Sequence, residues 1–396
     1  MHGHVHADIG LPRVVAARLR AIVVALFVLT LAGVVILRPT GEGQEGLRRV
    51  GTDAPRYPAR VTGVMPVECP FETVDAILPG LCRDVSFMLQ GGPDEGTEVV
   101  QFFPDSPTTP SFFVGDRVVL AHETEAEEGF EYSFVDRLRK AELRWLALLF
   151  AIAVVALGRL RGLAALGGLV ASVVILISFV LPSILDGRPP VYVAIVGSAL
   201  IAFVALYVAH GFNHMTTVAL LGTLASLGLT SVLAAIFVAA TKLSGFASEE
   251  SVIVQLASGR IDAAGLVLAG VVIGALGALD DVTVTQASAV WELRAANPLM
   301  PRRELYRAGI RIGRDHIAST VNTLLLAYAG AAMALLIFFV IAQQPLASVA
   351  NEEIVATEIV RTLVGSIGLV ASVPLTTWLA SLVAGRSARQ TDAGSS

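Results

Sequence analysis

The segment that decides the fold is "GALGALDDVTVTQASAVWEL", residues 274–293, together with the eleven uncharged residues 263–273 that precede it. About 20 consecutive apolar residues allow a helix to cross the ~30 Å hydrocarbon core of a bilayer. The combined segment is long enough, and its only charges before Glu292 are Asp280 and Asp281. It therefore predicts a membrane-spanning helix that contains two adjacent acids.

The composition of the whole chain indicates a polytopic membrane protein. Of its 396 residues, 55% are hydrophobic and only 15% are charged, whereas about 25% are charged in soluble domains. The mean hydropathy is +0.72. The expected fold is an all-α membrane helix bundle of about eight spans, which lie at 19–37, 143–157, 163–181, 191–209, 216–240, 263–290, 317–341 and 359–384.

The distribution of arginine between the short loops predicts the orientation. Loops rich in Lys and Arg stay in the cytoplasm, and the arginine-rich segments alternate along the chain with loops that are richer in acids. Both termini are therefore expected in the cytoplasm of a bacterial cell, with the bundle in its plasma membrane. The predicted divisions are a tail at 1–18, an anchor at 19–37, an external domain at 38–142, a seven-helix core at 143–385 and a tail at 386–396.

The polar segment after the first span predicts a small external β domain. Its short apolar runs are separated by turn signals such as "QGGPDEG", which is typical of a hairpin in an antiparallel barrel or sandwich. Both cysteines of the chain, Cys69 and Cys82, lie here. Outside the membrane they can form a disulfide that stabilises the domain by roughly 3 kcal/mol, and two unpaired thiols are the alternative. Two cysteines alone are not expected to bind a metal.

The depth of the two acids follows from Trp291, which is expected at the cytoplasmic interface. Ten residues separate it from Asp281, or about 15 Å of helix, which is half of the hydrocarbon thickness. Asp281 shares one helical face with Thr285 and Ser288, and Gln286 lies beside that face. The sequence therefore predicts a polar stripe that runs from the middle of the bilayer to the cytoplasm.

The next span carries a second polar stripe. Ser319 and Asn322 share a face by the same spacing, and Thr323 borders it. The two stripes are predicted to line one cavity that opens to the cytoplasm. The alternative for each hydroxyl or amide is a hydrogen bond that only holds helices together. For Asp280 and Asp281, the alternative to ion handling is likewise a packing role.

Other chemistry is not indicated by the sequence. His210 and His214 lie four residues apart in "HGFNH", but the glutamate of a zinc-protease motif is absent, and Gly211 and Asn213 favour a turn. No nucleophile, metal-ligand set or phosphate-binding loop of a known pattern occurs. An enzyme, a cofactor and a nucleic-acid partner are therefore not expected.

Several blocks of the chain resemble the YibE/F-like family of bacterial integral membrane proteins. The most distinctive are "GALDDVTVTQASAVWEL", "GRDHIASTVNTLLLAYAGAAMALL" and "HGFNHMTTVALLGTLASL". The resemblance implies a multi-pass core behind an external β domain, in the plasma membrane. It does not imply an activity, since such proteins are often described only as permease-like.

Two functions are consistent with these features. The first is a secondary transporter or permease for a small solute or ion, coupled to protons or another cation through Asp281 with Asp280 in support. The second is a non-catalytic assembly protein whose external domain binds another envelope component. Besides the lipid bilayer, the expected partners are a second copy of the chain or such an envelope protein.

Overall fold

The computed structural model describes residues 11–41, 54–68, 81–123, 126, 131–247, 252–255 and 261–385. The chain is mostly helical, at 69%, with several apolar helices and a curled five-stranded antiparallel sheet near its N-terminus. It divides into two compact units, one formed by Leu47–Ala153 and the other by Met1–Gly46 with Val154–Ser396. The predicted combination of an apolar helix bundle with a β-rich segment is therefore confirmed.

The sheet consists of β1 (Arg56–Glu68), β2 (Leu81–Leu89), β3 (Glu98–Pro104), β4 (Arg117–His122) and β5 (Tyr132–Arg137). Its order is β3-β2-β1-β4-β5, and each neighbouring pair is antiparallel. The "QGGPDEG" segment joins β2 to β3, as predicted. Across the described residues the strands form a single sheet, so the observed architecture is not the sandwich alternative.

The sheet curls around an aromatic core. Successive side chains of a strand face opposite sides, so Val85 and Phe87 of β2 are buried together. The two edge strands approach each other where Gln101 Nε2 of β3 donates a 2.5 Å hydrogen bond to the carbonyl of Tyr132 in β5. The Tyr132 hydroxyl donates to Asp94 at 2.7 Å, and burial beside this carboxylate raises the pKa of Tyr132 to about 12.

Only one of the two cysteines lies within the described residues. Cys82 is on β2, is 1% exposed and is not a free thiol. Cys69 lies outside the described residues, so its pairing with Cys82 stays a prediction.

The helices are α1 (Arg13–Ile36), α2 (Lys140–Ile175), α3 (Leu181–Leu185), α4 (Pro190–His210), α5 (His214–Ala240), α6 (Ala263–Ala296), α7 (Arg302–Ala331), α8 (Met333–Ile341), α9 (Leu346–Asn351) and α10 (Glu353–Ala384). A π-helical turn, Leu176–Val180, joins α2 to α3. In the described part of the chain, six helical stretches are long and apolar enough to cross a membrane, and α7 with α8 would form a seventh.

α2 is interrupted in its middle. With the π-helical turn and α3 it extends over 46 residues, which would measure about 69 Å as a straight helix. Arg159 has φ 53° and ψ −130°, outside the helical region. Gly162 lies against the backbone of Val154, although residues this far apart in a straight helix are separated by about 12 Å. The chain therefore turns at Arg159, between the predicted spans 143–157 and 163–181.

α7 begins earlier than the predicted span at 317–341. It starts at Arg302, directly after Pro301, and continues to Ala331 before a 64° bend into α8. Proline favours the start of a helix. Residues 302–331 contain no proline that could end the helix at the point where its basic residues give way to apolar ones. The basic segment and the apolar span therefore form one helix.

α5, α6 and α10 form the centre of the helical unit. One buried cluster contains Met215 from the start of α5 together with Trp291 and Val383 from the ends of α6 and α10. Another joins Val238, near the end of α5, to Val271 in the first half of α6. α5 therefore runs antiparallel to α6 and α10, which are parallel to each other.

Glycines face threonines where α5 and α10 meet. A Cβ atom on Gly222 would overlap Thr376, and one on Gly368 would overlap Thr230. The Thr230 hydroxyl donates to the carbonyl of Ser226 in its own helix at 2.8 Å. Small residues permit this close approach in membrane helices, so the interface depends on shape more than on hydrogen bonds between the helices.

Candidate functional site

Asp280 lies on α6 where this helix packs against α5. Oδ1 of its carboxyl group is buried and has no hydrogen-bond partner among the described residues. The Thr223 side chain of α5 lies beside the carboxyl group as a whole and interacts with it as a hydrogen-bonding group. The hydroxyls of Thr223 and Thr283 are 2.6 Å apart. Thr283 also donates to the Asp280 carbonyl at 3.1 Å. The acid therefore lies at a polar contact between two apolar helices.

Two buried serines lie at the depth of Asp280. Because α5 and α6 are antiparallel and Thr223 contacts Thr283, Ser226 is level with Asp280. The glycine and threonine contacts between α5 and α10 place Ser372 of α10 level with Ser226. Both serines are 0% exposed, and Oγ of Ser226 is a second buried atom with no hydrogen-bond partner in the described structure. We call Asp280, Ser226 and Ser372 the Asp280 layer.

Asp281 faces a different side of α6. Neighbouring residues on a helix project about 100° apart, and Asp281 is exposed whereas Asp280 is only partly exposed. One turn further along, Thr285 donates to the Asp281 carbonyl at 2.8 Å. Thr285 and Ser288 line a cavity of about 540 Å³ together with Glu292. Asp281, Thr285 and Ser288 of the predicted stripe therefore share one side of α6 with Glu292.

Other lining residues of this cavity come from α2 and from the turn between α4 and α5. Arg161 and Ala165 belong to the second half of α2, and His210 is the last residue of α4. The turn itself is fixed by Asn213, whose side chain accepts a hydrogen bond from the Thr216 amide at 2.8 Å, a typical helix N-cap. The cavity therefore combines basic, acidic and hydroxyl side chains.

Gln286 joins three helices rather than lining this cavity. It is 2% exposed. Its Nε2 donates to the carbonyl of Gly309 in α7 and to the hydroxyl of Thr377 in α10, both at 2.7 Å. The contact holds α6, α7 and α10 together in the way that amide side chains commonly join membrane helices.

The predicted lining residues of α7 lie on its outer side. Ser319, Asn322 and Thr323 are exposed, whereas Ile317 and Val321 pack against the hydrophobic core. These three residues are not among those that line the cavity beside Thr285 and Ser288. The structure therefore does not bring the two predicted stripes together.

The face of α6 that carries Asp281 continues beyond it with glycines. Next to Gly274 lies the hydroxyl of Tyr328 from α7, and next to Gly270 lies the guanidinium of Arg361 from α10. Arg361 forms a 2.6 Å ion pair with Glu358. Polar groups are therefore present on both sides of the acid pair along this face.

Sequence reasoning missed Thr223, Arg161 and Arg361. Arg361 had a visible signal, because it is a charge inside the apolar segment 359–384, and charges within spans are rare and need partners. Thr223 and Arg161 had none, since their roles depend on which helices are neighbours. Within the described ranges, no group of three His, Cys, Asp or Glu side chains could hold a metal ion.

Long apolar helices with polar groups buried between them define this chain as a membrane protein. The model of a protein family described as "YibE/F-like protein" matches residues 146–386. This match covers more than half of the chain, so the protein belongs to the YibE/F-like family. The resemblance seen in the sequence is thereby confirmed. No curated protein and no solved structure matches the chain.

Proposed function

We propose that this protein is a secondary transporter or permease of the bacterial cell membrane, in which Asp280 binds a proton or another cation during transport. The observation that carries this proposal is the buried Oδ1 of Asp280, which has no hydrogen-bond partner among the described residues. A carboxylate inside a membrane helix costs about 2.5–3.5 kcal/mol on insertion scales. A proton or a cation at this oxygen would offset part of that cost.

A purely structural role explains Asp280 less well. A carboxyl group that only fixes helix packing is expected to have its buried oxygens hydrogen-bonded, as Gln286 has its amide nitrogen. The Asp280 layer instead contains two buried oxygen atoms without partners among the described residues, on α6 and on α5. Such atoms are the ligands that a hydrated proton or a small hard cation prefers.

Asp281 has the supporting role in this proposal, which reverses the order that the sequence suggested. It lies on the face that continues through Thr285 and Ser288 to the 540 Å³ cavity. An exposed acid at this position provides a second carboxylate between the cavity and the Asp280 layer. We propose that the cavity is the cytoplasmic entrance.

A charge-movement measurement tests this function directly. The full chain is reconstituted in proteoliposomes on a solid support and exposed to jumps of H⁺, Na⁺ or K⁺, with protein-free liposomes as the control. We expect a transient current for at least one of these cations, because the ion binds within the low-dielectric core. Folded, reconstituted protein that gives no current and binds none of the three cations would contradict the proposal and leave the assembly-protein alternative.

The proposed arrangement has eight membrane crossings and both termini in the cytoplasm. The turn at Arg159 divides the 46-residue stretch into two crossings, and α7 with α8 forms another. Leu299 then lies in a cytoplasmic loop that is rich in arginine, and Gln344 lies in an external loop.

Cysteine labelling checks this orientation in intact cells. We expect Gln344→Cys to react with a membrane-impermeant maleimide, and Leu299→Cys to react only after permeabilisation, since both positions are exposed. The unsubstituted protein measures the background from Cys69 and Cys82. The opposite labelling pattern would overturn the orientation without affecting the fold.

A further inference from the structure

A large cavity lies between α1, α4 and the start of α5. Its volume is about 1200 Å³, which exceeds the roughly 300–1,000 Å³ usual for small-molecule sites. Most of its surface is apolar, with Leu19, Val23 and Phe27 on α1 and Phe203 on α4. The rings of Phe27 and Phe203 meet edge to face with centroids 5.2 Å apart. A ligand that fills this space must therefore be largely apolar.

Two arginines line the same cavity. Arg20 comes from α1 and Arg161 from α2, and His214 adds an imidazole from the start of α5. Arginine presents a planar fork of donors that fits phosphate oxygens, and it is the preferred residue for phosphate recognition. The charged part of the ligand should therefore be anionic.

The length of the cavity along α1 indicates what kind of molecule has these two parts. From Ala16 to Phe27, both of which line it, α1 rises by about 16 Å, which is close to half of the ~30 Å hydrocarbon core. Basic pockets between membrane helices on the cytoplasmic side are known to bind anionic lipid headgroups. The cavity has an apolar wall about as long as one bilayer leaflet is thick, and it also carries guanidinium groups. This combination fits a phospholipid better than a soluble solute.

We infer that an anionic phospholipid is bound here, with its acyl chains against the apolar wall of α1 and α4 and its phosphate between Arg20 and Arg161. The Tyr207 and Phe212 rings, stacked with centroids 4.5 Å apart, also line the cavity. Phe212 is 89% exposed, as expected for an aromatic ring at the level of the headgroups.

The lipid would also lie next to the cavity at Thr285 and Ser288. Arg161, His210 and Met215 line both cavities. A phosphate on Arg161 would therefore change the charge in the cavity that Glu292 and Ser288 also line. This link is separate from ion binding by Asp280, and the lipid site can be tested without any transport measurement.

Native mass spectrometry of the full purified chain tests the lipid site. We expect the unsubstituted protein to retain phosphatidylglycerol, and the Arg20→Gln, Arg161→Gln double variant to bind it at least about tenfold more weakly, because charge-assisted hydrogen bonds to phosphate are lost. Arg18→Gln is the matched control, since Arg18 is exposed on α1 but does not line the cavity. Equal retention by the double variant and the control would overturn the inference.

A second pair of variants tests the apolar part. Val24 lines the cavity and Val28 does not, although their exposure is nearly equal at 59% and 58%. We expect Val24→Trp to displace the lipid while all charges are kept, and Val28→Trp to retain it. Equal binding of phosphatidylcholine, or full displacement by millimolar inorganic phosphate, would contradict an anionic lipid as the ligand.

Discussion

Replacing Asp280 by asparagine is expected to abolish cation-driven charge movement while the helix bundle stays folded. Asparagine has nearly the same shape and can still interact with Thr223 on α5, so the packing around Asp280 is kept. It cannot take up a proton or neutralise a cation, because it has no ionisable group. The current after an ion jump in proteoliposomes measures the loss, and size-exclusion chromatography in detergent measures the fold.

Three further variants determine whether the effect belongs to Asp280. Asp280→Glu keeps the carboxyl group and should keep part of the current, whereas Asp281→Asn should have a smaller effect than Asp280→Asn because Asp281 is exposed. Asp136→Asn is the matched control, since this acid lies on the sheet, where it accepts the Arg137 amide and forms an exposed ion pair with Arg139. An unchanged current in Asp280→Asn would exclude Asp280 as the coupling group.

Replacing Gly222 by valine is expected to destabilise the helix bundle strongly. A side chain on Gly222 would overlap Thr376 of α10, and both residues are buried. Overpacking of a close-packed interior costs about 1–3 kcal/mol and sometimes more, and here it must separate two central helices. Loss of the monodisperse peak and a lower unfolding temperature in detergent would show the effect.

The same helix offers a matched control for this substitution. Gly228 lies on α5, is exposed and has no atom within 4 Å of the position a Cβ would take. Gly228→Val should therefore leave the unfolding temperature nearly unchanged. A similar loss in both variants would mean that valine weakens α5 itself and that the contact with α10 is not responsible.

The helical elements could be predicted well because each depends on local composition. The apolar segments at 216–240 and 263–290 lie within α5 and α6 and match the starts of both helices, although α6 continues past 290 to Ala296. The start of α7 could not be predicted in the same way. Helix continuity through its basic half depends on the absence of a stop signal, and hydropathy detects only the apolar half.

The sequence could predict how the site residues are arranged within one helix, but not which residues of other helices lie beside them. The spacing of Asp281, Thr285 and Ser288 placed them on one face, and the structure keeps them there. Which acid is buried depends on the neighbour that packs against each side of α6. The predicted partnership with Ser319 and Asn322 assumed that α7 turns its polar side inward, whereas Ile317 and Val321 pack against the core. Apolar burial thus decided the rotation of α7.

The way in which threonine hydroxyls are bonded also affects how the helices can move. Thr230 and Thr377 each donate to a carbonyl four residues earlier in their own helix, so these bonds travel with the helix that carries them. A sliding movement of α10 along α5 would break neither of these bonds. It would cost packing at Gly222 and Gly368, and it would break the bond that Gln286 of α6 donates to Thr377. The register of α10 is therefore fixed by shape against α5 and by hydrogen bonding against α6.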